Sequence, residues 1–393
     1  HLFNTTYYYY YYLSFISYRK TKGRDFMKII CDSAELAKAA FSVQRTVSGK
    51  STIPSLEGIL IEAFENKIKL TGYDLEVGST VIIDGDVRAE GKIVLNAKNF
   101  CDILRMVPDD SISIETDDRN IAKIKSGEAD YSIIATNAED YPELPTLSKF
   151  SPVVVELGLL KDMIKKTIFS VSTGERNPVH NGVKFEITQN KIILVAVDGA
   201  RLAVRREEIN YDEEQNGELS FVVPAKTLGE IQKNTSDDDT PVEIKVGDRH
   251  IIFSIGEYKI ISRLLEGNFL NYKSAIPMSC ETKIIVETKR LIESIERTSL
   301  IITDKSSPLR LIVENDVLKF SSVTALGTAS DKMSADIEGK NIEIGFNNRF
   351  VLDCLKVCDV ENIKIEMISA NQPITFSPLE GDHFFFLILP VRI

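Results

Sequence analysis

The chain has 393 residues, more than the ~100–200 residues of one typical domain, so two to four domains are predicted. Hydrophobic residues make up 43% and charged residues 27%, which excludes disordered and collagen-like classes. The formal net charge of −11 excludes a surface that attracts nucleic acid everywhere, because phosphate binding needs local positive potential.

Residues 1–26 differ from the rest of the chain. They contain six consecutive tyrosines, from Tyr7 to Tyr12, and a short apolar stretch that precedes the basic residues. A signal peptide has the reverse order, and the stretch is too short to span a bilayer. We expect an unstructured or non-native extension before a native start at Met27.

The five cysteines are odd in number and widely spaced, and most lie in apolar periodic segments, where a thiol behaves as a small hydrophobe. They are Cys31, Cys101, Cys280, Cys354 and Cys358. We therefore expect a protein of the reducing cytoplasm with no disulfide, no metal site and no cofactor.

From Met27 onward, one order of elements occurs three times. Each unit opens with an amphipathic helix and a polar loop that ends at a proline, and two strand-like runs with a tight polar turn follow. The helices are predicted over 33–47, 157–171 and 287–301, and the strand pairs over 58–64 and 68–70, 182–187 and 192–197, and 309–313 and 317–320.

A second helix in each unit carries the clearest internal repeat, a basic residue, an acidic one four positions later and a basic one three after that. The triplets are Lys98, Asp102 and Arg105; Lys226, Glu230 and Lys233; and Arg349, Asp353 and Lys356. At 3.6 residues per turn, each triplet is predicted to share one face, opposite the apolar residues of its helix.

Alternating strand segments close each unit, and strands on both sides of the helices favour antiparallel sheets over a regular βαβ order. The predicted fold class is α+β, with antiparallel sheets packed against two helices per unit. Proline-rich segments near 145 and 277 place the domains at 27–149, 150–275 and 276–393.

Positive charge is concentrated in the predicted helices. With the second helices at 97–107, 225–235 and 348–358, the six contain fourteen Lys or Arg and eight Asp or Glu. One such helix is explained by ordinary stabilising pairs on an exposed face. The same triplet in three units favours a shared face that contacts phosphates without reading bases.

Five motifs carry a resemblance to a known family. They are ATNAEDYPELP (135–145), VAVDGARLAVRR (195–206), NFLNYKSAIP (268–277), IEIGFNNRFVLDCL (342–355) and FLILPVRI (386–393). Over 27–393 the chain resembles the bacterial DNA sliding clamps, the beta subunits of DNA polymerase III.

The resemblance implies three clamp domains and a head-to-tail homodimer that closes as a ring around duplex DNA. Such a ring is a non-catalytic processivity factor, with no catalytic residues, in the cytoplasm. Its implied partners are double-stranded DNA, the replicative polymerase, the clamp loader and other replication and repair proteins, and no membrane.

The resemblance also implies site residues. DNA contacts map to Lys50, Lys98, Gly174, Pro178 and Val179, to which the triplets add Arg105, Lys226, Lys233 and Arg349. The dimer interface maps to Tyr131, Ile133, Leu300 and Ile301. A peptide-binding pocket maps to His180, Val197, Gly199, Ala200, Arg201, Leu202, Leu270, Asn347, Phe350, Leu387, Ile388, Leu389, Pro390, Val391 and Arg392.

Within that pocket, His180, Ala200 and Leu270 depart from the residues usual in the family, so the resemblance does not define the peptide preference. On the strand pattern alone, Leu387 and Leu389 fit a plain core strand equally well.

Two other readings compete with a clamp. Gly49, Lys50 and Ser51 match the end of a phosphate-binding loop, but Gln44 stands where its first glycine belongs and a helix precedes it instead of a strand. The four histidines lack ligand spacing. A β-rich interaction scaffold that does not encircle DNA remains the alternative.

Overall fold

The computed structural model describes residues 26–174, 176–188, 190–213, 217–234, 236–303 and 307–393, so the predicted extension lies outside the described residues except for Phe26. The chain forms two compact units. The first contains the described residues up to Tyr73 together with 81–142, and the second contains 74–80 and 143–393.

The first unit packs two helices and two sets of antiparallel strands around one core. Its elements are β1 (Lys28–Asp32), α1 (Ser33–Gln44), β2 (Gly58–Phe64), β3 (Lys67–Tyr73), the part of β4 (Val77–Asp84) from residue 81 onward, β5 (Asp86–Ala89), β6 (Gly91–Asn96), α2 (Ala97–Leu104), β7 (Ser111–Thr116), β8 (Ile121–Ser126) and β9 (Ala129–Ile134). One sheet has the order β5-β1-β7-β8-β9, so β9 is an edge strand, and β2 pairs with both β3 and β6.

The second unit begins with another copy of this order. Its elements are β10 (Ser151–Glu156), α3 (Leu157–Lys165), β11 (Gly182–Thr188), β12 (Lys191–Val197), β13 (Arg201–Glu208), β14 (Leu219–Pro224), α4 (Ala225–Gln232), β15 (Pro241–Val246), β16 (His250–Ile255) and β17 (Tyr258–Arg263). The strands β10, β15, β16 and β17 pair in that order.

A third copy follows in the same unit. It contains β18 (Thr282–Glu287), α5 (Thr288–Ser299), β19 (Leu309–Glu314), β20 (Val317–Thr324), β21 (Gly327–Ser334), β22 (Asp336–Gly339), β23 (Ile342–Phe346), α6 (Asn348–Leu355), β24 (Asn362–Met367), β25 (Ile374–Pro378) and β26 (Phe384–Ile388). Pairing of β13 with β26 joins the two copies in a nine-stranded sheet, β14-β11-β12-β13-β26-β25-β24-β18-β22. The α+β class and the threefold repeat are confirmed.

The repeats differ at one sheet edge. β5 pairs with β1, and β22 pairs with β18, but among the described residues no equivalent strand pairs with β10. Pro152 in β10 stands five residues before its helix, at the position of Lys28 and Lys283 in the other repeats. Because proline lacks an N–H to donate, it suits an edge strand that has no neighbour on one side.

The first helix of each repeat is shorter than predicted. α1 stops at Gln44 and α3 at Lys165, although the apolar spacing continues to Val47 and Val171. Beyond α1, the N–H groups of Thr46 and Val47 bond three residues back, and beyond α3 a separate 3-10 turn covers Ile168–Ser170. Periodicity continues through such turns and therefore does not mark where an α-helix ends.

Candidate functional site

The sheet junction between the second and third repeats brings the predicted pocket residues together. In the pairing of β13 with β26, Arg201 lies opposite Ile388 and Leu202 opposite Leu387. Beyond β26, the Leu389 N–H donates to the Ala200 carbonyl over 2.8 Å, and the Val391 N–H donates to the Gly345 carbonyl over 2.8 Å. The C-terminal segment is therefore held beside the turn before β13.

Burial divides the apolar pocket residues into two groups. Val197, Leu202, Leu387 and Ile388 are at most 4% exposed, so they support the surface from below. Leu389 is 41% exposed, Val391 38% and Leu270 45%. The core-strand reading is thus correct for Leu387 and wrong for Leu389, whose side chain faces solvent.

Arg201 is held in place by several polar and aromatic contacts. Its Nε lies 2.8 Å from Asp198 Oδ2, and its Nη1 lies 2.6 Å from Asp353 Oδ2. The guanidinium also lies over the Phe350 ring, with its carbon 4.3 Å from the ring centroid, and 5.6 Å from the Phe169 centroid. Cation–π contacts and two carboxylates fix its plane.

His180 adjoins the buried apolar cluster beneath this surface through Phe269. Its ring meets Phe269 edge to face, with centroids 5.1 Å apart, and Phe269 packs against the cluster that contains Val197, Leu202 and Leu387. The Nε2 atom is buried without a hydrogen-bond partner among the described residues. Burial lowers the pKa of His180 below its ordinary value of 6.5, because the apolar surroundings disfavour the imidazolium.

The remaining pocket residues surround this centre. The Asn347 side chain accepts a hydrogen bond from the Arg349 N–H and thereby caps α6, the helix that presents Phe350. Gly199 has φ +90° in the turn before β13, a conformation that favours glycine. Pro390 is half-buried and Arg392 is exposed.

A separate cavity of about 180 Å³ opens elsewhere in the third repeat, and sequence reasoning missed it. It is lined by Pro277, Met278, Ser279, Cys280, Glu366, Met367, Ile368, Pro373, Thr375 and Phe385. None of these residues belongs to the predicted pocket. The predicted surface consists instead of exposed side chains on a buried support.

The residues predicted to contact DNA differ in exposure. Lys50, Lys98 and Arg349 are exposed, and the described part of the chain provides no ion pair for them. Gly174 and Pro178 are exposed too. Val179, in the same loop, is only 5% exposed and lies against Gly267, and its place among the DNA contacts stays a prediction.

The charged triplets are less uniform than their spacing predicts. Arg105 pairs with Asp102 and Lys233 with Glu230, each within its own triplet, whereas Lys226 pairs with Asp74. Glu230 is only 4% exposed, so the prediction that the whole triplet lies on an open face is wrong there. In the third repeat, Lys356 binds Glu296 on α5 and Asp353 binds Arg201. The first basic residue of each charged triplet is exposed in all three repeats.

Exposed apolar side chains occur at the predicted dimer residues. Tyr131 and Ile133 are half-buried on the edge strand β9, where Ile134 is 84% exposed. Leu300, at the end of α5, is 81% exposed, and Ile301 is half-buried. An edge strand with apolar side chains is a surface that proteins usually cover.

Over the described ranges, no helix is long and apolar enough to cross a membrane, and no group of His, Cys, Asp and Glu is placed to hold a metal ion. The five cysteines are free thiols, and burial raises the pKa of Cys31 and Cys101 to about 12, so both stay protonated.

The threefold clamp fold defines a class of protein, and comparisons with known proteins identify it. Models of the DNA polymerase III beta subunit match in chain order, the N-terminal domain over 27–145, the central domain over 155–271 and the C-terminal domain over 273–392. The chain therefore belongs to the family of DNA polymerase III beta subunits, the beta sliding clamps.

Individual relatives agree. A beta sliding clamp of Staphylococcus epidermidis is 31% identical over 359 residues, which cover 88% of this chain and 94% of that protein. The DNA polymerase sliding clamp of Bacillus subtilis has a crystal structure with TM-score 0.90 and 30% identity, covering 93% of this chain and 99% of that one. The beta subunit of Streptococcus pyogenes gives TM-score 0.88 at 25% identity, covering 93% and 100%.

The chain is accordingly a sliding clamp, a non-catalytic accessory subunit that makes DNA polymerase processive. The alternative of an interaction scaffold unrelated to DNA is not favoured by these relatives.

Proposed function

We propose that two copies of this chain close head to tail into a cytoplasmic ring around duplex DNA, each copy contributing domains 27–149, 150–275 and 276–393. The observation that carries the proposal is an exposed basic residue at the start of the second helix of every repeat. These residues are Lys98, Lys226 and Arg349. Equivalent cations repeated around a ring would attract phosphates without base contacts, which holds DNA while allowing it to slide.

A topological experiment tests enclosure directly. The clamp is loaded onto nicked circular DNA with the clamp loader of the same organism, and the circle is then cut at one site. We expect retention on the circle and loss after cutting, because a ring slides off a free end. A clamp that stays bound to the linear product contradicts enclosure, and a nicked circle that is left uncut serves as the control.

We further propose that Lys50 and Lys98 contact the phosphate backbone. Exchanging both for glutamate should weaken DNA association and reduce the slope of log affinity against log salt by about 2, since each lost phosphate contact removes about 0.9. The matched control exchanges Lys92 and Lys125, two exposed lysines on strands of the same unit, for glutamate. An equal loss of DNA affinity in both double variants would mean that the net charge of the protein, and not these two positions, determines DNA association.

The surface around Arg201 is proposed to bind short peptide segments of the replicative polymerase, the clamp loader and repair proteins. Support comes from the exposed apolar side chains of Leu389 and Val391 above a buried floor. Deleting residues 389–393 removes both and should abolish binding of a labelled polymerase-derived peptide, measured by fluorescence anisotropy. DNA retention by the same deletion variant is the control, and unchanged peptide affinity would refute the assignment.

A further inference from the structure

Arg201 is held by two carboxylates that come from different repeats. Asp198 belongs to the turn before β13, and its Oδ1 also accepts the N–H groups of Ala200 and Arg201 at 2.9 and 3.0 Å. Asp353 lies on α6 of the third repeat and reaches Arg201 from 152 positions further along the chain. Asp198 therefore stabilises its own turn, whereas Asp353 binds Arg201 across the junction between the second and third repeats.

This arrangement leaves little positive charge at the surface. One guanidinium faces two carboxylates, and the Arg201 side chain is only 12% exposed. Two of its five N–H groups bind Asp198 and Asp353, and its face lies over Phe350. The Arg201 guanidinium remains a planar hydrogen-bond donor, but Arg201, Asp198 and Asp353 together carry a net negative charge.

The third repeat differs from the other two in the partner of the acidic residue of its charged triplet. In the first repeat Asp102 binds Arg105, and in the second Glu230 binds Lys233, each the last residue of the same triplet. Asp353 stands at the equivalent position on α6, yet its partner is Arg201. The sequence pattern is the same in the three repeats, while the contact differs where a peptide surface adjoins the helix.

We infer that Asp353 is a positioning residue of the peptide-binding surface. It holds the Arg201 guanidinium over Phe350 and, together with Asp198, makes the net charge of the group negative. The surface therefore selects peptides that offer Arg201 a neutral carbonyl or amide oxygen and rejects an acidic side chain there. A second carboxylate beside Asp198 and Asp353 would be repelled, because like charges at short distance in a partly dry site disfavour each other. The inference rests on the proposed peptide-binding function.

The experiment compares a labelled polymerase-derived peptide with a set in which each residue in turn is replaced by glutamate. Affinities are measured by fluorescence anisotropy for the unaltered clamp, Asp353→Asn, Asp353→Glu and the matched control Asp102→Asn. Asparagine keeps an oxygen that can accept from Arg201 but lacks the charge, so the geometry is largely retained.

We expect the unaltered clamp to penalise glutamate most strongly at one peptide position. Asp353→Asn should reduce that penalty by about fivefold, the order expected for a charge partly exposed to water. Asp353→Glu should restore the penalty and Asp102→Asn should not change it. A purely structural role would instead weaken every peptide in the set by the same factor.

An unchanged glutamate penalty in Asp353→Asn would overturn the inference, as would equal losses for all peptides. Failure of the proposed function looks different, because the parent peptide would then bind the unaltered clamp no better than the variant lacking residues 389–393. The two results are therefore distinguishable in one set of titrations.

Discussion

At the end of α3, buried charges are clustered around one carboxylate. Lys166 is 1% exposed and its Nζ lies 2.7 Å from Asp162 and 2.9 Å from Asp359. Arg205, also buried, has its Nε 3.0 Å from Asp162 and its Nη1 2.9 Å from Glu207. Among the described residues, Asp162 is thus the acid that contacts both buried cations, and their other acidic partners are more exposed.

Asp162→Ala should therefore destabilise the protein by about 3 kcal/mol, because removing one member of a buried ionic group leaves uncompensated charge behind. Differential scanning calorimetry should show the transition falling by about 5–10 °C. The control is Asp382→Ala, which removes an 84% exposed carboxylate 3.9 Å from Arg206 and should shift melting by less than about 1 °C. Equal shifts would show that the cluster contributes no special stability.

His180 predicts a pH dependence. Its pKa is lowered by burial, so the unfolded chain takes up the proton first as the pH falls below 6.5. The folded state is therefore not penalised by this group above its ordinary pKa, and it loses stability as the pH falls toward the lowered one. His180→Leu should reduce the difference in melting temperature between pH 7.5 and pH 5.5, whereas the nearby non-titrating change Leu270→Ala should leave it unaltered.

At the scale of elements, each first helix ends near a buried threonine whose hydroxyl bonds back to a helix carbonyl. Thr46 donates to Val43 at 2.9 Å, Thr167 to Met163 at 2.8 Å and Thr298 to Ser294 at 2.8 Å. All three threonines are at most 1% exposed. These hydroxyls satisfy carbonyls near the helix ends, where backbone partners are fewer.

Thr298→Val keeps the shape of the side chain but leaves the buried Ser294 carbonyl with one donor fewer. We expect a loss of about 1–2 kcal/mol in the free energy of unfolding, measured by urea denaturation followed by circular dichroism. Thr328→Val on the exposed face of β21 is the control and should change stability by less than about 0.5 kcal/mol. A loss as large in the control would mean that the hydroxyl bond is not responsible.

These elements also show what sequence patterns can and cannot predict. The hairpin of β11 and β12 was predictable, because alternating apolar residues on both sides of a polar turn leave few other structures. The strands before each first helix, such as β18, were missed, since they continue into the helix without a turn. The Arg201–Asp353 contact was beyond local reasoning, because its spacing along the chain has no periodicity to detect.

At the scale of the whole molecule, the net charge of −11 has to be reconciled with binding to DNA. The structure shows that several helix cations are already paired, among them Arg105, Lys226 and Lys233. Attraction to phosphate then depends on the few cations that stay exposed at the surface, and repulsion from the acidic remainder limits binding elsewhere. A protein that is retained on DNA by encircling it needs only a weak, salt-sensitive attraction to the phosphates.

Enclosure in turn requires a dimer, and its predicted seam is testable with single substitutions. Leu300 is 81% exposed in the isolated chain, so an arginine there leaves the fold of one copy intact but places a charge in any apolar interface that covers it. We expect Leu300→Arg to shift the sedimentation coefficient from dimer to monomer at micromolar concentration and to remove retention on circular DNA. Met278→Arg is the matched control, because Met278 is fully exposed and lies outside the predicted seam. A Leu300→Arg variant that remains dimeric would place the seam elsewhere, while loss of the dimer in both variants would attribute the effect to added charge.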